Sequence, residues 1–271
     1  MVTFNHQHQP LGSTNSSSHQ NDGEANVIEH HIDIQTQDGA MNTFITHPEE
    51  GGPFPVVMFY MDAPGKREEL HDMARRIATV GYYVILPNLY YRKTREFVFE
   101  RNDAGMKSMM EVASHLRIKL IMEDTQALLD FLATDPHANV NKIGAVGYCM
   151  SGPFVFAAAS QFADRIQCAA SIYGANLMTK RDDSPHLSAN KIKGEMYFAC
   201  AEIDHYAPKE TIDALDAHLK TCNINYRIEW YPGAEHGFAF PDRGEIYHKP
   251  SAERHWSRLF DLFQRNLRDG D

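Results

Sequence analysis

Cysteine is scarce in this 271-residue chain. Its four cysteines, Cys149, Cys168, Cys200 and Cys222, form no CxxC pair and no zinc-ligand spacing. A chain of this length needs no disulfide framework. No apolar run approaches the roughly eighteen residues of a membrane-spanning helix. Excess positive charge is missing too: the formal net charge is −10, which argues against nucleic acid or an anionic membrane as the main partner. The opening MVTFNHQHQPLGSTNSSSHQNDGEAN lacks the positive start and apolar stretch of a secretory signal. The expectation is a soluble, cytoplasmic protein with reduced thiols. A local basic group (Lys66, Arg67, Arg92, Lys93, Arg95 and Arg101) is read mainly as a solvated face, although it could meet a small anion.

What is present is 43% hydrophobic residues, enough for a sizeable core. Residues 1–26 hold almost none of the large ones, so they are expected to stay disordered, and residues 27–271 to form one domain. VIEHHIDIQT alternates, turns at Asp38-Gly39 and continues as MNTFITH, the pattern of a hairpin. PVVMFYM is a short unbroken apolar run, as a buried parallel strand requires. Leu70, Met73, Ala74 and Ile77 then share a helical face. Strand-like and helix-like segments keep alternating to the closing helix with Trp256, Leu259 and Phe263. The expected architecture is α/β, a mostly parallel sheet of about eight strands with helices on both faces. Such sheets put their sites at the carboxyl ends of the strands.

IGAVGYCMSGPF has the form strand, sharp turn, helix. An isolated cysteine is usually buried and inert, and that reading suits Cys168, Cys200 and Cys222. Cys149 differs, because Gly147, Ser151 and Gly152 are the small neighbours that a strained, exposed nucleophile needs. Pro153 falls in the first helical turn, where its missing N–H costs nothing. The helix N-terminus behind the sulfur stabilises negative charge there. A base and its orienter are expected at later strand ends. AEIDHYAP offers Asp204, and YPGAEHGF offers His236. His205 is the rival base, but it falls in the acid loop.

GYCMSG, Asp204 in AEIDHYAP, YPGAEHGF and GYYVILPNLYYR together resemble the dienelactone hydrolase family, the cysteine-nucleophile branch of the α/β-hydrolase fold, over about residues 28–268. The resemblance implies Cys149 as nucleophile, His236 as general base and Asp204 as its orienter, in a hydrolase of esters or lactones that works without metal or organic cofactor as a monomer or homodimer. It places the oxyanion hole at the backbone N–H groups of Ala63 and Met150. In YMDAPG, Asp62 stands where the family has a Glu that holds the resting thiol. Ser151 stands where members usually have Gly. Phe240 stands where the dienelactone-cleaving members have an arginine that grips the substrate carboxylate, and Arg243 lies near but out of register. Residues 88–117 are expected to wall the site, with Tyr90, Tyr91, Phe97 and Phe99 lining an apolar pocket, Phe240 as a further pocket residue and Arg92 as the anion contact, which would make dienelactone itself a poor substrate.

Two other classes compete: a non-catalytic binding member of the fold, and a thiol redox protein using Cys149. The intact nucleophile, acid and base argue against the first, and no resolving cysteine lies near in sequence for the second. Removing residues 1–26 is expected to leave Tm and turnover unchanged, because the segment has too little apolar surface to dock. A clear loss of either, by calorimetry or ester assay, would show that it packs on the rest.

Overall fold

The computed structural model describes residues 26–268, so nearly all of the N-terminal segment expected to be disordered lies outside the described residues. Strands β1 (Val27–Thr36) and β2 (Gly39–Pro48) form the hairpin, with Thr36 paired to Gly39 across its turn. β3 (Phe54–Tyr60), β4 (Tyr83–Pro87), β5 (Ala138–Tyr148), β6 (Ile166–Ile172), β7 (Glu195–Ile203) and β8 (Tyr226–Glu235) complete one sheet in the order β1-β2-β4-β3-β5-β6-β7-β8. β1–β2 and β2–β4 are antiparallel, and every later pairing is parallel. The inner strands β3, β4 and β6 are buried on both faces, which is why they read as apolar runs rather than alternating ones.

Helices α1 (Glu68–Ala78), α3 (Ile118–Leu132), α4 (Gly152–Gln161), α5 (Lys209–Leu219) and α6 (Lys249–Phe263) cover the sheet. The face expected of α1 is the one it buries: Leu70, Met73, Ala74 and Ile77. α4 is buried on nearly all sides, so it carries Phe154, Val155, Phe156 and a run of alanines instead of an amphipathic stripe. The segment read as an irregular wall contains a further helix, α2 (Asp103–Ala113), started by the Asn102 side chain, which accepts from the Gly105 N–H. Only Gly105 and Met109 of α2 are buried, so its apolar pattern is too thin to read from sequence. Among the described residues, no helix is long and apolar enough to cross a membrane.

One buried polar contact joins the closing helix to the strand that ends in the cysteine. His255 of α6 donates from Nδ1 to the Ala252 carbonyl (2.7 Å), and its Nε2 accepts from the Tyr148 hydroxyl (2.9 Å). Both rings are wholly buried. Burial pushes the His255 pKa from 6.5 down to about 4. The unfolded chain therefore takes up this proton near pH 6.5 and the folded chain only near 4, so stability falls as pH drops through that window. In His255→Gln the amide keeps a donor and an acceptor but does not titrate. Its Tm should fall less than that of the wild type between pH 6.5 and 4; an equal fall would remove His255 as a source of acid sensitivity.

Candidate active site

Cys149 follows β5 with φ +55°, in the left-handed region that an L side chain enters only at a cost of about 1–3 kcal/mol. The surroundings enforce it. Its carbonyl accepts from the Ala175 N–H (3.0 Å), and residues Cys149–Ser151 make a 3-10 turn into α4. A Cβ on Gly147 would stand 2.5 Å from the Ser151 carbonyl oxygen, and one on Gly152 would strike the Gly174 backbone. Ser151, in the position where the family usually has Gly, is buried and donates to the Met61 carbonyl (2.5 Å). That bond ties the turn to the loop after β3. The Cys149 side chain is half-buried, whereas Cys168 and Cys200 are fully buried.

Two other strand ends bring up the expected partners. Asp204 follows β7; its Oδ1 accepts from the backbone N–H groups of Tyr206 (2.8 Å) and Ala207 (3.1 Å). Its Oδ2 faces His236 Nδ1 at 2.8 Å, and His236 follows β8. Burial alone would lower the His236 pKa, but the Asp204 carboxylate and the Cys149 sulfur outweigh it and raise the pKa to about 9. The other ring nitrogen, Nε2, is buried and meets hydrogen-bond geometry with no described residue; Cys149 is the neighbour that raises its basicity. His205 is exposed and takes no part in this arrangement.

The loop after β3 closes through a Gly65 N–H bond to the Asp62 carbonyl (3.0 Å), which leaves the Ala63 N–H with no acceptor among the described residues. Tyr90 spans the gap: its hydroxyl donates to the Ala63 carbonyl (2.7 Å) and lies 3.4 Å from Met150 Sδ. Phe97 packs edge-on against Tyr90 at 5.5 Å.

Four expectations change. Tyr91 points away from the cysteine, with its hydroxyl on Asp124 (2.7 Å) and Thr36 (2.8 Å). Arg92 turns the same way and pairs with Asp124 (2.7 and 2.8 Å) and Asp38 (2.6 Å), so it is not the anion contact of this site. The cause is local: the chain makes a helical turn after Tyr90, whose carbonyl takes the Lys93 and Thr94 N–H groups, so Tyr91 and Arg92 leave it toward Asp124 while Tyr90 stays on the Ala63 carbonyl. Phe240 is wholly buried against Tyr148 and Tyr173 instead of lining a pocket. Asp62 is buried with both oxygens on the Arg67 guanidinium (2.5 and 3.3 Å), not held for the thiol, and Arg243 stands 3.8 Å away. Arg67 also pairs with Glu69 and lies 5.2 Å over the Phe240 ring. The cations beside Asp62 among the described residues are Arg67 and Arg243.

Sequence reasoning missed Tyr173. It follows β6 with φ +36°, stacks edge-on against His236 at 5.1 Å, and buries a hydroxyl that no described residue partners. The signal was there in SIYG, a strand end followed by Gly174, whose added Cβ would strike Ser171.

The geometry can now be set beside known proteins. The model of the dienelactone hydrolase family matches residues 41–267. The chain belongs to that family. It is accordingly a hydrolase acting on ester or lactone bonds. A Synechocystis protein provisionally named carboxymethylenebutenolidase is 26% identical over 240 residues, covering 88% of this chain and 96% of its own. An Escherichia coli K12 protein of the same provisional name is 26% identical, covering 86% and 85%. A Klebsiella pneumoniae crystal structure, provisionally a dienelactone hydrolase, superposes with a TM-score of 0.80 at 23% identity, covering 89% of this chain and 99% of that one. The sheet and its helices have the α/β-hydrolase fold.

The four thiols of this dienelactone hydrolase family member should separate sharply under iodoacetamide. Burial pushes Cys200 up to about 12 and Cys168 higher still. The Cys222 thiol donates to the His218 carbonyl (3.5 Å). Peptide mass mapping should find Cys149 modified first; faster labelling at any other cysteine would contradict the elbow assignment.

Proposed function

We propose that the chain hydrolyses carboxylic esters or lactones with Cys149 as nucleophile, through a thioester acyl-enzyme. The observation that carries this reading is the unpartnered Nε2 of His236, oriented by Asp204 and electrostatically coupled to a cysteine held in a left-handed turn.

As the Cys149 sulfur attacks the carbonyl carbon, its thiol proton passes to His236 Nε2, the C–S bond forms and the carbonyl π electrons move onto oxygen. The N–H groups of Ala63 and Met150 stabilise that oxyanion. As it collapses, the bond to the leaving oxygen breaks and the His236 imidazolium gives that oxygen its proton. Neutral His236 then takes a proton from water, the hydroxide attacks the thioester, and the sulfur departs with its electron pair. Asp204 keeps Nδ1–H in place and favours the imidazolium. Asp62, paired with Arg67, acts by fixing the oxyanion loop and does not hold the resting thiol. Four unpaired thiols support a reducing, cytoplasmic setting, for a monomer or homodimer acting on a small-molecule ester or lactone.

Hydrolysis of p-nitrophenyl acetate should fall to background in Cys149→Ala and His236→Ala. Asp204→Asn should keep a measurable remainder, because it orients and does not react. Acid quenching during turnover should leave one acetyl group on the Cys149 peptide. Full activity in Cys149→Ala would refute the mechanism, and a wild type without turnover would favour a binding protein.

A further inference from the structure

A cleft of about 380 Å³ opens beside the cysteine turn, between α2, the start of α3, the start of α4 and the loop 176–185. It lies within the size range of small-molecule sites, roughly 300–1,000 Å³. Met150, the residue after the cysteine, is part of its wall, so the cleft adjoins the cysteine turn. The rest of its apolar wall includes Met110, Ala113, Leu116, Ile118, Pro153 and Phe154.

Two arginines also line it, but each is occupied. Arg117 donates to the Ser114 (2.5 Å) and Leu116 (2.7 Å) carbonyls just beyond the end of α2. Arg181 makes a two-point pair with Asp183 (2.8 and 3.0 Å). Asp183 neutralises Arg181, while Arg117 makes no ion pair among the described residues and keeps its charge at the rim. Most of the cleft surface is nonetheless apolar, so apolar burial is the main contribution to what it holds.

Neither Asp204 nor His236 lines the cleft. The leaving oxygen must sit against His236 Nε2 to receive its proton, which directs the leaving group away from this wall. The group on the other side of the scissile carbonyl is then the one that points past Met150. We propose that this cleft is the acyl subsite and that the preferred substrates are esters or lactones whose acyl side carries an apolar alkyl or aryl arm. The assignment rests on the acyl-enzyme mechanism above and adds the class of acid that the enzyme releases.

The test is kcat/KM for p-nitrophenyl acetate and p-nitrophenyl hexanoate in wild type, Ala113→Trp and Ile118→Trp. Each buried methylene contributes about 0.8 kcal/mol, close to four-fold, so the wild type should prefer hexanoate by roughly ten-fold or more. Either bulky side chain fills the cleft and should bring the ratio near one, with acetate changed by no more than about two-fold. A wild type without preference for hexanoate, or a preference that survives both substitutions, overturns the subsite while Cys149-dependent acetate turnover leaves the mechanism standing. Absence of turnover on either ester overturns both together.

Discussion

The cysteine turn depends on how closely three backbones can approach. Gly147 lies against the Ser151 carbonyl, and Gly152 lies against Gly174, so the ends of β5 and β6 and the start of α4 meet with no side chain between them. That contact forces the positive φ of Cys149. It also sets where the first N–H groups of α4 point and how far the sulfur stands from the loops after β7 and β8. A larger side chain at either glycine would move the Cys149 sulfur relative to His236, whatever became of the rest of the core.

Charge is arranged around that turn by mutual neutralisation. Buried Asp62 is paired with half-buried Arg67, Glu69 takes the outer side of the same guanidinium, and the flat face of Arg67 rests on Phe240. An aromatic ring at position 240 thus has a clear physical purpose: it floors the ion pair. With Phe240 where the resemblance implied an arginine, the region still holds cations, since Arg67 and Arg243 stand beside Asp62. The strength of such a pair in a poorly hydrated setting makes Asp62 a rigid support for the oxyanion loop.

Much of this was legible in the chain, for reasons that are local. Buried parallel strands declare themselves as apolar runs, and GYCMSG carries its own turn chemistry in the glycines. Asp204 and His236 were legible because each follows a strand end at which a parallel sheet places chemistry. Tyr91, Arg92 and Phe240 were misplaced because side-chain direction within a loop depends on distant partners. Asp124 lies 32 residues from Arg92, and nothing in NLYYR announces it. Tyr173 escaped for the opposite reason: one tyrosine among twelve looks like core until its backbone conformation is known. α2 was missed because a helix that buries two residues leaves no period to read.

The left-handed backbone of Cys149 carries a last consequence. Glycine is the residue that conformation suits, so the fold would hold together better with no side chain at position 149 than with the one it has. Selection on folding and selection on turnover therefore pull against each other at a single codon. A lineage released from the need for catalysis would drift first toward glycine there, gaining stability as it lost chemistry. Cysteine in this left-handed position therefore carries a folding cost for which the proposed chemistry gives a reason.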